Sequence, residues 1–347
     1  MKKLLLGVMV AFAAAAVAGA APTVLRVMTH SSFAATPSVI AAFEKANNAT
    51  VQFTAGGDAG ETLNKALLAK GNPLADVLYG VDNTFMGRAL AGDILEPYDS
   101  PLLKQIPAEF QLDPSHRLLP VDFGYIDLNY DRAWFDSRGM AVPKTLEDLV
   151  SPTYKSLLVV ENPATSSPGL AFLLATVAHF GSTGASTWKT YWAALRANDV
   201  LVVNGWDDAY FNEFSAQGKG TRPIVLSYAT SPAYELYSAA DPKPSQPPTG
   251  NIIPEGSSFR QVEFVGVLKG AKEPALARAF VDFMLSATFQ ADIPLQMWVY
   301  PTNRTAAIPD LFTRFAPVPR TPADITPAAI DAGRDQWIKE WTQVVLQ

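Results

Sequence analysis

Residues Leu157 to Phe180 read LLVVENPATSSPGLAFLLATVAHF, and the grammar of this stretch decides the fold. Leu157, Leu158, Val159 and Val160 form a short apolar run of the kind that makes a buried strand. Leu170 to His179 is apolar and long enough for a helix. Between them, Pro163-Ala164-Thr165-Ser166-Ser167-Pro168-Gly169 places hydroxyls where an N-cap belongs and a proline at the first helical position. A strand feeding such a helix start presents unpaired backbone N–H groups and Ser/Thr oxygens to one point, a seat for a polar or anionic group. The same order of residues returns at Ile224 to Tyr234, IVLSYATSPAY. Either junction alone reads as an ordinary capped helix. The pair reads as two walls of one binding site.

The chain before the first junction alternates strand and helix. Val24 to Met28 reads as a strand, and Thr36-Pro37 opens a helix with Ile40 and Phe43 on one face that ends at Asn47-Asn48. Val51 to Thr54 is a second strand, Gly56-Gly57-Asp58-Ala59-Gly60 a tight loop, and the helix from Glu61 stops at Gly71, a C′ glycine. Ala75 to Gly80 is a third strand, ending at Val81-Asp82-Asn83, and another helix runs to Gly92. This βαβαβ order predicts a parallel sheet with helices on both faces. Ligands of such sheets lie beyond the carboxyl ends of the strands, where His30, Ser31, Asp58 and Asp82 fall.

Val121 to Tyr130, long and aromatic-rich, is expected to cross into a second lobe. After it come a helix near Thr145–Leu149, the first junction, a helix carrying Trp188 and Trp192, and a strand Val200 to Val203 that leads to Trp206. The second junction follows, then a proline-rich loop from Asp241 to Gly250, and Val262 to Val267 as a returning strand. Leu276, Phe280, Phe283 and Met284 mark an amphipathic helix. Gln296 to Pro301 holds Trp298 and Tyr300 in an irregular segment, and a helical tail from Pro327 carries Trp337 and Trp341 as core residues. Repeated crossings imply a hinge and a cleft that closes on a ligand. The expected class is α/β, two-lobed, with residues 1–20 as a signal peptide, 21–124 and 264–303 as lobe 1, and 125–263 and 304–347 as lobe 2.

Bulk composition narrows the function classes. The chain has 347 residues, 48% of them hydrophobic and 17% charged, and a formal net charge of −6. That length suits two lobes of ordinary size. Lys2-Lys3, the apolar run Leu4 to Val17 and Ala18-Gly19-Ala20 make a positive region, an apolar region and a cleavage site, so the mature protein is expected to be exported. No later segment has the length of a membrane helix. An acidic exported protein is a poor partner for nucleic acid or anionic membrane. With no cysteine there is no lipid-anchoring residue after the signal, no disulfide framework, and no thiolate nucleophile or metal ligand.

The residues do not assemble a reaction. The three histidines lack the spacing of a zinc site, there is no G-x-S-x-G, and the glycine loop at Gly56 carries an acid where a phosphate loop needs a lysine. Trp206, Tyr228, Tyr234, Trp298 and Tyr300 sit instead at strand ends or in irregular segments. Beside Asp58 and Asp82 they describe an aromatic box for a flat or cationic ligand, each cation–π contact being worth about 0.5–2 kcal/mol. Nanomolar binding needs roughly 12 kcal/mol, so lobe closure and the hydroxyls of the two junctions have to supply the remainder.

On these residues the sequence resembles the periplasmic thiamine-binding proteins of bacterial ABC importers. The segments that carry the resemblance are Thr29 to Phe33, Val77 to Asn83 (VLYGVDN), Pro163 to Leu170 (PATSSPGL), Asn204 to Tyr210 (NGWDDAY), Leu226 to Tyr234 (LSYATSPAY), Trp298 to Pro301 (WVYP) and Gln336 to Trp341 (QWIKEW). The resemblance implies a type II periplasmic-binding-protein fold. It implies that the cleft holds thiamine, and often its mono- or diphosphate, and hands it to a membrane permease. By matching positions, Asp58-Ala59, Thr165-Ser166, Trp206, and Tyr228, Ala229, Thr230 and Ser231 contact the ligand, with Trp298 stacking on it; no catalytic residue, metal or cofactor is implied. The sequence departs from the family at His30-Ser31, often Tyr-Asp, and at Ala59, often Gly. Two other classes share the architecture. A binding protein for another cation would favour adjacent tyrosines for ferric iron, absent here, or spaced acids for a polyamine. A thiaminase-like transferase needs the cysteine this chain lacks.

Overall fold

The computed structural model describes residues 21–217, 219–323 and 325–347. The expected signal segment therefore lies outside the described residues. Eleven strands form one curled, mixed sheet: β1 Thr23–Thr29, β2 Ala49–Ala55, β3 Val77–Asp82, β4 Leu95–Glu96, β5 Leu119–Asp131, β6 Leu158–Glu161, β7 Leu201–Val203, β8 Ile224–Tyr228, β9 Thr249–Ile252, β10 Phe259–Leu268 and β11 Tyr300–Pro301. The main path runs β2-β1-β3-β10-β5-β8-β6-β7.

At one end, β2, β1 and β3 are parallel, as the βαβαβ order predicts. β3 is buried along its whole length, the condition of a strand covered on both faces. Helix Pro37–Asn47 ends on Asn48 in the left-handed conformation and sets Phe43 edge-on to Phe280 of helix Pro274–Leu285, ring centroids 5.1 Å apart. At the other end β8, β6 and β7 are parallel beneath helices Ser167–Phe180, Trp188–Ala197 and Pro327–Val345. Trp192 and Trp341 meet edge-to-face at 5.4 Å and are fully buried. Trp341 is thus core as expected, while Trp337 is only partly covered.

The two ends are joined by β5 and β10. β5 pairs antiparallel with β10 from Leu119 to Ile126 and with β8 from Ile126 to Tyr130. β10 in turn pairs with β3 through Glu263 to Val267. Both of its ladders slip register beside Phe264, an irregularity of the kind that bends a strand and re-aims a side chain. Among the described residues no helix is long and apolar enough to cross a membrane. The segment expected as a helix near Thr145–Leu149 is a single short turn, Glu147–Val150.

Candidate functional site

The segments that follow the carboxyl ends of β1, β2, β6, β7 and β8 converge on a cavity of about 240 Å³ beside the crossing strands. Asp58, Ala59, Trp206, Tyr228, Thr230, Ser231 and Trp298 line it. Thr165, Ser166 and Ala229 stand behind the wall. The Ala229 N–H donates to the Tyr125 carbonyl at 2.9 Å and its carbonyl accepts from Asn251 Nδ2 at 2.9 Å. Thr165 donates through Oγ1 to the Asn204 carbonyl at 2.7 Å, and its own carbonyl accepts the Gly60 N–H at 3.1 Å. Ser166 is fully buried, its hydroxyl close to Asp58 without completing a hydrogen bond of normal geometry.

The junctions differ from the expectation in how they use their donors. At the first, the N–H groups of Ala164, Thr165 and Ser166 are all taken by Asn162, through its Oδ1 or its carbonyl. Neither Ser166 nor Thr230 caps its helix with a side chain. Thr230 Oγ1 instead donates to the Trp298 carbonyl in a short contact. This contact holds Trp298 at φ 58°, a left-handed conformation that costs a non-glycine residue on the order of 1–3 kcal/mol. The hydroxyls of Ser166 and Ser167 are buried beside the Asp58 and Asp82 carboxylates without a hydrogen bond of normal geometry. A buried polar group in that state lacks the hydrogen bond that normally offsets its desolvation.

Two indoles frame the cavity, each backed by a second ring. Trp206 stacks on Tyr210 at 4.9 Å and 17° and meets Tyr228 edge-to-face at 6.3 Å. Its Nε1 donates to Ser227 Oγ at 2.8 Å. Trp298 lies parallel to Phe312 at 6.0 Å and edge-to-face with Tyr234 at 5.0 Å. Tyr300 does not take part: it is buried, with its hydroxyl on the Ala316 carbonyl. Such backing fixes ring orientation before a ligand arrives, which lowers the ordering cost of binding.

Acids make the floor. Asp58 accepts from the Ala59 N–H at 2.7 Å and, across the cavity, from the Trp206 N–H at 3.1 Å. Ser32 reaches Asp207 at 3.0 Å in the same direction. Burial raises the Asp58 pKa despite these donors. Deeper, Tyr228 donates to Gln261 Oε1 at 2.9 Å and Gln261 Nε2 donates to Asp82 at 2.7 Å. Burial lifts Asp82 to about 6. The Tyr79 hydroxyl is within hydrogen-bond reach of both Asp122, at 2.5 Å, and Glu263, at 3.0 Å. Glu263 lies 3.6 Å from His30 Nε2, an ion pair rather than a hydrogen bond. Burial and the charge of Glu263 push the Asp122 carboxyl well above the usual carboxylate range. Burial works against the Glu263 charge, but His30, together with hydrogen bonds from Asp122 and Tyr79, outweighs it and the Glu263 pKa falls. His30 answers in kind: burial pulls it down, and Glu263, Asp58 and Asp207 more than compensate, leaving it raised.

Gln261, Glu263 and Asp207 are among the lining residues that sequence reading missed. For Gln261 and Glu263 the signal is faint: two polar side chains, after Arg260, on the buried strand Phe259–Leu268, FRQVEFVGVL. Among the described residues no group of His, Cys, Asp and Glu is arranged to hold a metal ion.

Comparison with known proteins agrees with this architecture. Residues 72–318 match the family described as bacterial extracellular solute-binding protein. The thiamine-binding periplasmic protein of Salmonella typhimurium is 33% identical, and that of Escherichia coli 32%, each over 94% of both chains. A solved structure, a periplasmic thiamin binding protein, superposes with a TM-score of 0.82 at 29% identity, over 93% of this chain and 96% of its own. The fold is that of the type II periplasmic binding proteins. The chain belongs to the bacterial extracellular solute-binding proteins, in one family with the thiamine-binding periplasmic proteins.

Proposed function

We propose that this protein captures thiamine in the cavity between Trp206 and Trp298 and delivers it to the permease of an ABC importer. It is a periplasmic solute-binding protein and not an enzyme, as are the relatives that match it along nearly its whole length. The observation that carries the reading is the pair of backed indoles over an acid floor. A flat aromatic cation gains from ring faces and from carboxylates at once. Asp58, Ala59, Trp206, Tyr228, Thr230, Ser231 and Trp298 contact the vitamin, while Thr165, Ser166 and Ala229 shape the wall behind them.

The lobes on this reading are residues 21–124 with 264–303 and 125–263 with 304–347, hinged where β5 and β10 cross. Asn303 supports the last boundary. Its N–H donates to Gln290 Oε1 and its Nδ2 to the Leu285 carbonyl, each at 2.9 Å, whereas helix Asp310–Phe315 packs on helix Ser231–Ser238. Calorimetric titration of the mature protein with thiamine and with spermidine is the test. Thiamine binding without spermidine binding is expected, and the reverse would overturn the assignment.

A further inference from the structure

We propose that the cavity takes up its cationic ligand in exchange for a proton, and that His30 is the residue that gives the proton up. This rests on the reading of the cavity as the thiamine site and adds how charge is balanced when the vitamin enters. His30 follows the carboxyl end of β1 and lines the cavity with Asp58, Asp207 and Glu263. No lysine or arginine is among the lining residues, so His30 is the lining side chain that can carry positive charge.

The imidazole is buried and held in place. Its Nε2 lies 3.6 Å from Glu263 and completes no hydrogen bond. The ring is tilted at 40° to Tyr79, centroids 5.5 Å apart, and packs so close to β3 that a Cβ on Gly80 would lie 2.3 Å from its Cδ2. The groups that face it are Glu263 from β10, Tyr79 from β3, Asp58 before helix Ala59–Leu68 and Asp207 in the turn Trp206–Asp208. Further in, the Tyr79 hydroxyl reaches both Asp122 and Glu263, and Asp82 accepts from Gln261.

A thiazolium bound over this floor faces the same carboxylates that favour a proton on His30. Burial lowers the His30 pKa, and Glu263, Asp58 and Asp207 more than offset it. A second cation at close range disfavours the imidazolium. One ring N–H bond of His30 then breaks, the proton passes to solvent, and the ligand supplies the positive charge that replaces it. The net charge of the cavity is unchanged, and Glu263 exchanges one cationic partner for another. It is never left as a lone buried charge, which is strongly destabilising. The other buried carboxyls are poorer sources of that proton. Asp82, at about 6, is largely ionised at pH 7, and neither it nor Asp122 nor Glu161 lines the cavity.

Two measurements on the mature protein test the exchange. Titration calorimetry with thiamine at pH 7.0, repeated in buffers of different ionisation enthalpy, counts the protons released per thiamine bound. The native chain should release about 0.3–0.8 proton, and His30→Gln at least about threefold fewer. The second measurement needs no substitution, so it stands if His30→Gln fails to fold. The chain has three histidines, and the other two, His116 and His179, pair with Asp99 and Glu147 and do not line the cavity. In NMR spectra of the histidine-labelled native protein, one ring should titrate at least about one pH unit lower once thiamine saturates the site, while the other two hold. Thiamine that binds with all three titrations unmoved overturns the exchange. A folded His30→Gln variant that binds thiamine and releases as many protons as the native chain overturns the assignment to His30. A native protein that does not bind thiamine overturns the underlying reading instead.

Discussion

Replacing Trp206 by alanine separates a ligand-facing role from a structural one. The indole lies on the Tyr210 ring at 4.9 Å and lines the cavity. Truncation removes one cation–π contact and the apolar area that a planar ligand covers, together roughly 1.5–3 kcal/mol, or about 10- to 150-fold in Kd. Loss of the fold is not expected. Trp206 is only half-buried, and Ser227 keeps Ser231 Oγ at 3.0 Å once the indole N–H is gone. The stability of the ligand-free protein should fall by about 1 kcal/mol, the ordinary cost of a single substitution. Titration calorimetry with thiamine, paired with thermal unfolding of the ligand-free chain, reads both numbers. An unchanged Kd in a folded variant refutes the placement of Trp206 against the ligand. A large loss of stability with unchanged affinity of the folded fraction shows that the ring is core.

Other outcomes follow from the same geometry. A Cβ on Gly60 would meet the Thr165 carbonyl oxygen at 2.7 Å and Phe85 Cζ at 2.9 Å, so Gly60→Ala should hold the cavity mouth open and weaken thiamine at least tenfold, with circular dichroism unchanged; normal affinity would show that the gap can give. Trp341→Ala removes a fully buried ring packed on Trp192 and should cost about 3–5 kcal/mol in chemical denaturation; a loss under about 1 kcal/mol would contradict the packing. Stability and binding should respond to pH in opposite directions. His30, faced by Glu263, Asp58, Asp207 and the Tyr79 ring, has a raised folded pKa, as do Asp58 and Asp82, the last near 6. Groups raised on folding stabilise fully below their unfolded pKa and lose that contribution as pH climbs through the folded value. Unfolding of the ligand-free protein should therefore occur at lower temperature at pH 8 than at pH 5.5. Thiamine should bind more weakly at pH 5.5, where His30 is charged and the acids are partly neutralised; two trends of the same sign would refute this electrostatic account.

How far the sequence could be read depends on the range of each signal. Strands such as Val77–Asp82 and helices such as Pro37–Asn47 are written in local apolar pattern and caps, and they appear within a few residues of expectation. The helix expected from Glu61 starts at Ala59 because Asp58 itself is its N-cap, a double duty that spacing alone does not reveal. Aromatics at strand ends located Trp206, Tyr228 and Trp298, since a ring outside an apolar period needs a separate reason to be there. Tyr300 met the same rule and is buried against Phe123 and Phe312, because β11 turns it into the core. Glu263 and Gln261 stayed hidden since their neighbours are not local. Asp82 is supplied by β3, Asp122 by β5 and His30 by the end of β1, so only the register of β10 brings them together. The commitment of the Ala164, Thr165 and Ser166 N–H groups to Asn162 is likewise invisible in a string of residue types.

The most direct test is a crystal structure of the mature protein grown with thiamine. The vitamin is predicted to lie between the Trp206 and Trp298 rings, its cationic ring nearest Asp58 and Glu263 and its hydroxyethyl group near Ser166 and Ser167. A vitamin bound elsewhere, or these two rings turned away from it, would contradict the account.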